Sequence, residues 1–187
     1  MKLWLARHAL PIGAEGLCYG ATDLSAGDTE TFDAASRLAA NLPPGTAIRC
    51  SPLKRCVQLR VQLLLLRPEL RAQADGRIAE MSFGDWEGRR WNAIDPAAMR
   101  AWTDDFEHYR PGDGESVHDF LERVAQAFDE ARAGRGDMLW ITHAGVIRAA
   151  TLLAGGRRAC ATASQWPSSG PAFGQCQVLP LSNATSV

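Results

Sequence analysis

The chain has 187 residues, 46% of them apolar and 22% charged. That is the composition of about one globular domain with room for a full core, and it excludes disordered, collagenous and coiled-coil classes. Lys and Arg number 20 against 21 Asp and Glu, a net charge of −1, which argues against a nucleic-acid binder held by a broad basic face but leaves room for a local basic pocket.

Lys2 to Ala6 predicts a buried strand, interrupted by Arg7 and His8 too early for a signal-peptide core. Thr29 to Leu42 places Phe32, Ala35, Leu38, Ala39 and Leu42 at helical spacing, and Pro43-Pro44-Gly45 stops it. Thr46 to Cys50 predicts a short strand. Ser51-Pro52 predicts the start of a helix, with Ser51 as N-cap and Pro52 at the first helical position. That helix carries Leu53, Val57, Leu59, Leu63 and Leu66 and ends before Pro68. Beyond Leu3–Ala6, apolar runs such as Leu63 to Leu66 are far short of the ~20 residues that span a bilayer. No membrane partner is therefore expected, and the cytoplasm is the expected compartment.

Residues 81–113 are a candidate lid or pocket wall. Gly114-Glu115-Ser116 precedes a long helix whose apolar face is Val117, Phe120, Leu121, Val124, Ala127 and Phe128, ended by Gly134. Met138 to Thr142 predicts a strand, Ala144 to Ala154 a short apolar helix, Gln175 to Leu181 a last strand, and Ser182 to Val187 a loose tail. The alternation predicts a single α/β domain over residues 1–187: three layers, α/β/α, around a mostly parallel sheet. Ligands of such folds bind beyond the carboxyl ends of the strands.

Two of the four histidines leave strands in matching settings: Leu5-Ala6-Arg7-His8-Ala9 and Ile141-Thr142-His143-Ala144-Gly145. In a parallel sheet both imidazoles arrive at one rim. Arg7 precedes His8, and Arg55 lies in the first turn of a helix whose start faces the same rim. Two guanidiniums, two imidazoles and a helix N-terminus make an anion pocket, and Arg forks match phosphoryl oxygens bidentately. Nearby guanidiniums also disfavour imidazolium, so a neutral His8 is expected at pH 7. A protonated carboxyl would complete the pocket as general acid. The apolar, Gly-bearing run from Ala79 to Gly88 supplies three candidates, Glu80, Asp85 and Glu87, and the residues alone do not choose among them.

Cys18, Cys50, Cys56, Cys160 and Cys176 show no CxxC spacing and read as reduced, mostly packed thiols. No Cys/His pairs fall at ligand spacing, so neither a metal nor another cofactor is expected. His108 and His118 read as solvated. Trp86, Trp91 and Trp102 fit core and pocket wall equally well.

Five segments resemble, in order, the motifs of the histidine phosphatase superfamily, the phosphoglycerate mutase-like proteins. They are Leu5-Ala6-Arg7-His8, Ser51-Pro52-Leu53-Lys54-Arg55, Glu80 to Gly88, Gly114-Glu115-Ser116, and Thr142-His143-Ala144-Gly145-Val146-Ile147-Arg148. Each alone is weak; five in order, across roughly residues 2 to 180, are strong. Cys18-Tyr19-Gly20-Ala21-Thr22-Asp23-Leu24 and Phe83 to Gly88 further resemble the α-ribazole phosphatase branch, which serves assembly of the cobalamin nucleotide loop.

The resemblance implies that His8 is the nucleophile and forms a phosphohistidine. It implies that Arg7, Arg55 and His143 hold the phosphoryl oxygens, and that Glu80 protonates the leaving alcohol and later deprotonates water. Tyr19 and Trp86 are candidates to stack on a base or benzimidazole ring. One departure stands out: Ala9, Pro11 and Ala14 occupy positions where the family commonly has Gly, Thr and Asn. Two side-chain phosphate contacts are thus missing, and backbone N–H groups near Gly13 or Gly16 are candidates to replace them.

The expected function is a metal-independent phosphomonoesterase acting on a small phosphorylated metabolite, with α-ribazole 5′-phosphate the specific candidate and a homodimer the candidate assembly. Phosphoglycerate mutase-type phosphotransfer is the nearest rival. The shortness of the chain and the mixed charge of residues 88–113 disfavour it, because a mutase must enclose its phosphoenzyme against water. An inactive interaction module with the same fold is a third reading, opposed by the intact Arg7, His8, Arg55, Glu80 and His143 set.

Overall fold

The computed structural model describes residues 1–181, so the expected tail at 182–187 lies outside the described residues. Five strands form one sheet in the order β3-β2-β4-β1-β5. They are β1 (Lys2–Arg7), β2 (Ala47–Cys50), β3 (Arg71–Ala74), β4 (Met138–Thr142) and β5 (Cys176–Pro180). β1 and β4 pair in parallel at the centre, β2 and β3 continue the parallel run, and β5 pairs antiparallel with β1. The strands covered on both faces are the apolar ones. In β4, Leu139 to Thr142 are all buried, as expected of a strand with helices on either side.

The helices are α1 (Asp28–Asn41), α2 (Lys54–Leu66), α3 (Pro96–Asp104), α4 (Val117–Ala133) and α5 (Ala144–Ala154). Alternate strand residues face opposite ways. Ala6, Ile48, Leu139 and Ile141 meet Ala34 and Leu38 of α1 and Leu59 and Leu63 of α2. Leu3, Leu5 and Trp140 meet Phe120, Val124 and Phe128 of α4 and Val146, Ile147 and Ala150 of α5. The three-layer α/β/α arrangement read from the sequence is therefore the observed one, with a mixed, mostly parallel sheet.

One local expectation changes, and two elements were not anticipated. The second helix starts at Lys54, with Leu53 as its N-cap residue and no side-chain cap, not at Ser51-Pro52. β3 carries the sequence Arg-Ala-Gln-Ala without an apolar pattern, because it lies on the sheet edge. Residues 81–113 contain α3, started by Asp95 accepting from the Ala97 N–H with Pro96 behind it.

Two segments converge on the carboxyl end of β1. Residues 88–91 are stitched to the 16–18 loop, where Cys18 N–H donates to Arg89 O (2.9 Å), Gly88 N–H to Cys18 O (2.8 Å) and Trp91 N–H to Gly16 O (3.1 Å). The approach to β5 is stitched to β1 itself, since Gly174 N–H donates to His8 O and Arg7 N–H to Gln175 O, both at 3.0 Å. Among the described residues no helix is long and apolar enough to cross a membrane.

Candidate active site

The carboxyl edge of the sheet gathers the predicted residues. β1 delivers Arg7 and His8, β4 delivers His143, and the first turn of α2 delivers Arg55. The His8 and His143 ring centroids stand 5.0 Å apart. His8 is 3% exposed, while Arg55 and His143 are fully buried.

The protonation of His8 follows from its contacts. Nδ1 lies 2.7 Å from the Ala9 carbonyl, which can only accept, so Nδ1 carries the proton. Nε2 keeps its lone pair and accepts from Arg55 Nε at 3.3 Å. Burial holds the imidazole pKa down to about 3; the Ala9 bond opposes this, and Arg55 and Arg7 add to it. His8 is neutral at pH 7 as expected from the sequence, but burial outweighs the guanidiniums as the cause.

Arg55 is aimed by backbone. Its Nη1 donates to Thr22 O and its Nη2 to Gly20 O, both at 2.7 Å, which turns Nε toward His8. Arg7 donates from Nη1 to Pro171 O (3.2 Å), and its guanidinium lies 3.6 Å from the centre of the Phe173 ring, a cation–π contact. Arg7 Nε has no partner among the described residues.

Ser51 explains the missing cap. Its hydroxyl lies 2.7 Å from His143 Nε2 and accepts weakly from Leu53 N–H at 3.4 Å. When the Ser51 hydroxyl donates to Nε2, His143 carries its proton on Nδ1. Nδ1 is buried and has no partner among the described residues. Burial, then His8 and the surrounding guanidiniums, keep His143 well below the usual imidazole range. The Cys56 thiol packs 3.5 Å from Nε2, and burial pushes its pKa well up.

The three carboxylates separate by environment. Glu80 stands beside the first turn of α5, where Gly145 N–H donates to Oε2 (3.1 Å) and Met81 N–H to Oε1 (3.2 Å). A Cβ at Gly145 would sit 2.3 Å from Glu80 Oε1, so glycine is what permits this approach. The residue keeps some contact with solvent, but its carboxyl is enclosed by protein. Burial raises its pKa against the pull of those bonds and of Arg55 and Arg123. Asp85 is exposed. Glu87 is consumed by the backbone: it accepts from Ala21 N–H (2.8 Å), Thr22 N–H (2.5 Å), Phe83 N–H (2.9 Å) and the Thr22 hydroxyl.

Glu87 thus holds the 20–22 loop whose carbonyls hold Arg55. Glu87→Gln is expected to cost ~1 kcal/mol of stability by leaving exposed and part-buried donors without an anionic acceptor, and to weaken binding of inorganic phosphate. Thermal unfolding and isothermal titration measure both, with exposed Asp85→Asn as the control that changes neither.

Besides Ser51, one further residue escaped the sequence reading. Arg123 donates to the carbonyls of Arg77 (2.7 Å), Ala79 (2.8 Å) and Glu80 (3.2 Å), fixing the segment that carries Glu80. Glu115 grips Arg123 at 2.6 and 2.8 Å. On the sequence, Arg123 looks like any charge on the outer face of a helix, and Ser51 like a cap.

A cavity of about 770 Å³ adjoins the site, lined by residues 10–17, Tyr19, Trp91 and Phe173. Tyr19 stands where a substrate-pocket residue was expected. Trp86 does not: it is 5% exposed and packs on Cys18 and Ile94, with Trp102 and Tyr109 around it. The indole that reaches the cavity is Trp91, because the 3-10 turn at Gly84–Trp86 directs Trp86 inward. Pro11 bridges to Ala26, and Gly13 and Gly16 line the cavity with positive φ. Among the described residues no three His, Cys, Asp or Glu side chains converge as metal ligands would.

Comparison with known proteins gives concordant matches. The family described as the histidine phosphatase superfamily (branch 1) matches residues 3–164. The adenosylcobalamin/alpha-ribazole phosphatase of Escherichia coli (strain K12) is 30% identical over 155 residues, 79% of this chain and 75% of that one. Among solved structures, the mycobacterial glucosyl-3-phosphoglycerate phosphatase superposes with a TM-score of 0.70 at 26% identity, covering 82% of this chain and 78% of that one. The TTHB049 protein of Thermus thermophilus superposes with a TM-score of 0.70 at 28% identity, covering 96% and 93%.

Proposed function

The chain belongs to the histidine phosphatase superfamily, and we propose that this phosphatase hydrolyses phosphomonoesters through a phosphohistidine on His8, without a metal. The observation that carries the proposal is the His8 ring: its proton is fixed on Nδ1 by Ala9 O, and its Nε2 lone pair is presented beside Arg55 and 5.0 Å from His143.

Two displacements at phosphorus make up the reaction. His8 Nε2 attacks phosphorus, the N–P bond forms and the P–O bond to the leaving alcohol breaks. Glu80, whose pKa burial raises, gives its proton to the departing oxygen. Arg7, Arg55 and the N–H of His143 Nδ1 take the charge of the equatorial oxygens. Glu80, now a carboxylate, takes a proton from water as that water attacks phosphorus. The N–P bond breaks and inorganic phosphate leaves.

The proposed substrate is a small phosphorylated metabolite, with α-ribazole 5′-phosphate the leading candidate and the cytoplasm the proposed compartment. The name of the E. coli relative supports that candidate, as does the aromatic lining of the neighbouring cavity.

Chelator-treated protein assayed on α-ribazole 5′-phosphate, 3-phosphoglycerate and an aryl phosphate tests the whole reading. Undiminished phosphate release, fastest from α-ribazole 5′-phosphate, is the expected result. Turnover of aryl phosphate alone removes the cobalamin role. Interconversion of phosphoglycerates without phosphate release favours the mutase reading, and no turnover at all favours an inactive module.

A further inference from the structure

Arg7 keeps its charge without a counter-ion. Among the described residues it forms no ion pair, and its guanidinium gives the backbone one hydrogen bond, from Nη1 to Pro171 O. We infer that Phe173 is the positioning residue for Arg7: its aromatic face orients the guanidinium in place of a carboxylate and leaves the charge to the phosphoryl group. The inference rests on the phosphohydrolase reading and adds to it what keeps the phosphoryl site ordered and cationic at once.

Other arginines of the chain show the alternative. Arg123 spends its donors on Glu115 and three carbonyls. Arg77 grips Asp75 and Glu130, and those bonds raise its pKa. Burial lowers that of Arg7, against Tyr19 and Glu80. A carboxylate facing Arg7 would hold it more strongly, but it would occupy the N–H groups and cancel the charge that draw phosphoryl oxygens.

The contact with Phe173 is plane on plane. Arg7 Cζ lies 3.6 Å from the ring centre. An edge-on guanidinium would put an N–H between the two and hold Cζ farther out. A stacked guanidinium is attracted by the ring quadrupole, yet its N–H bonds lie in its own plane and none is spent on the ring.

Backbone places the ring. Residues 172–175 form a tight turn closed by Gln175 N–H to Ala172 O (3.0 Å), with Gly174 at φ +70°, the left-handed position that favours glycine. Gly174 N–H donates to His8 O and Arg7 N–H to Gln175 O, so the turn is bonded to the residues it serves. Arg37 of α1 ties it down as well, from Nη2 to Gly174 O (3.2 Å). A Cβ at Gly174 would lie 3.2 Å from that Nη2 and 3.3 Å from Ala34 Cβ, so the turn sits tightly on α1. The ring it carries also reaches His8, 5.6 Å between centroids.

The test is the coupling between Phe173 and Arg7 in the binding of inorganic phosphate, read by calorimetric titration and, for weak variants, by phosphorus NMR line width. Phe173→Leu keeps apolar bulk without the aromatic face. It frees a side chain that phosphate must then order, and is expected to weaken binding ~3–10-fold. Phe173→Tyr keeps the face and should bind like the wild type. Trifluorophenylalanine at position 173 keeps the shape while draining the face of negative charge, and should give an intermediate loss. In an Arg7→Ala background Phe173→Leu should cause no further loss, because its effect passes through Arg7.

Unchanged binding in Phe173→Leu would overturn the inference. So would an equal loss with and without Arg7, which would make the ring a cavity wall, or full affinity in the fluorinated protein, which would make shape and not the aromatic face decisive. If Phe173→Leu does not fold, the fluorinated protein and Phe173→Tyr carry the comparison. A wild type that binds phosphate but turns over no ester removes the phosphohydrolase reading alone, since the coupling is read from binding. A wild type that binds no phosphate overturns both.

Discussion

His8→Ala is expected to lower kcat by on the order of 10⁴-fold or more, the scale seen when a covalent nucleophile is removed. Rapid quench with labelled substrate should trap acid-labile phosphate on the wild type and none on the variant. Inorganic phosphate should still bind, because Arg7 and His143 remain and Arg55 is held by the Gly20 and Thr22 carbonyls whether or not His8 is present. That separation of binding from turnover is the signature of a nucleophile. Retained turnover, or label trapped in the variant, would remove His8 from that role.

The same variant has an opposite effect on acid stability. The His8 pKa is about 3 when folded against an ordinary value of 6.5. The unfolded chain therefore binds the extra proton first as pH falls. The group's contribution is present above 6.5 and is lost as the pH drops toward 3, amounting to ~3 kcal/mol by pH 4. His143 shifts in the same direction. Denaturant unfolding at pH 7 and pH 4 should show the wild type losing more stability than His8→Ala over that interval.

Glu80→Gln is the second large effect, and it should depend on the leaving group. For alkyl esters the departing alkoxide needs a proton, and the expected loss is ~10²–10⁴-fold. For a nitrophenyl ester the departing anion is stable by itself, so phosphorylation of His8 should be nearly spared while hydrolysis of the phosphoenzyme, which still needs a base, slows. A burst of nitrophenol followed by a slow steady state is the expected trace. The pH profile carries a matching sign. Because burial raises the Glu80 pKa, wild-type kcat/KM on an alkyl ester should fall as pH rises through that raised value, and Glu80→Gln should lack that limb. Equal losses on both esters would mean that Glu80 positions the site without transferring protons.

The rim was legible in the sequence because it follows from topology. Two His at the ends of parallel strands, with Arg7 beside one and Arg55 at a helix start, must meet at one edge, and they do. What escaped depends on contacts between distant segments. Ser51-Pro52 carries the local chemistry of a helix start, yet the Ser51 hydroxyl lies on His143, 92 residues away. Arg123 has the setting of a solvated helix charge and instead binds three carbonyls of the Glu80 segment. Glu80 and Glu87 are alike in sequence; the clamp on the 20–22 loop separates them. Trp86, the candidate pocket residue, turns inward and Trp91 lines the cavity, because a 3-10 turn, invisible to periodicity, decides which indole faces inward.

All five reactive side chains lie within the first 143 residues, but the Pro171 carbonyl, the Phe173 ring and the Gly174 N–H that hold Arg7 and His8 come later in the chain. Translation runs from the amino terminus, so a nascent protein carries the complete chemistry before it can hold the geometry. The phosphoryl cradle closes only when the last strand has emerged and docked beside the first. A ribosome-bound or prematurely ended chain that stops short of β5 therefore has the five reactive side chains without the contacts that hold Arg7 and His8.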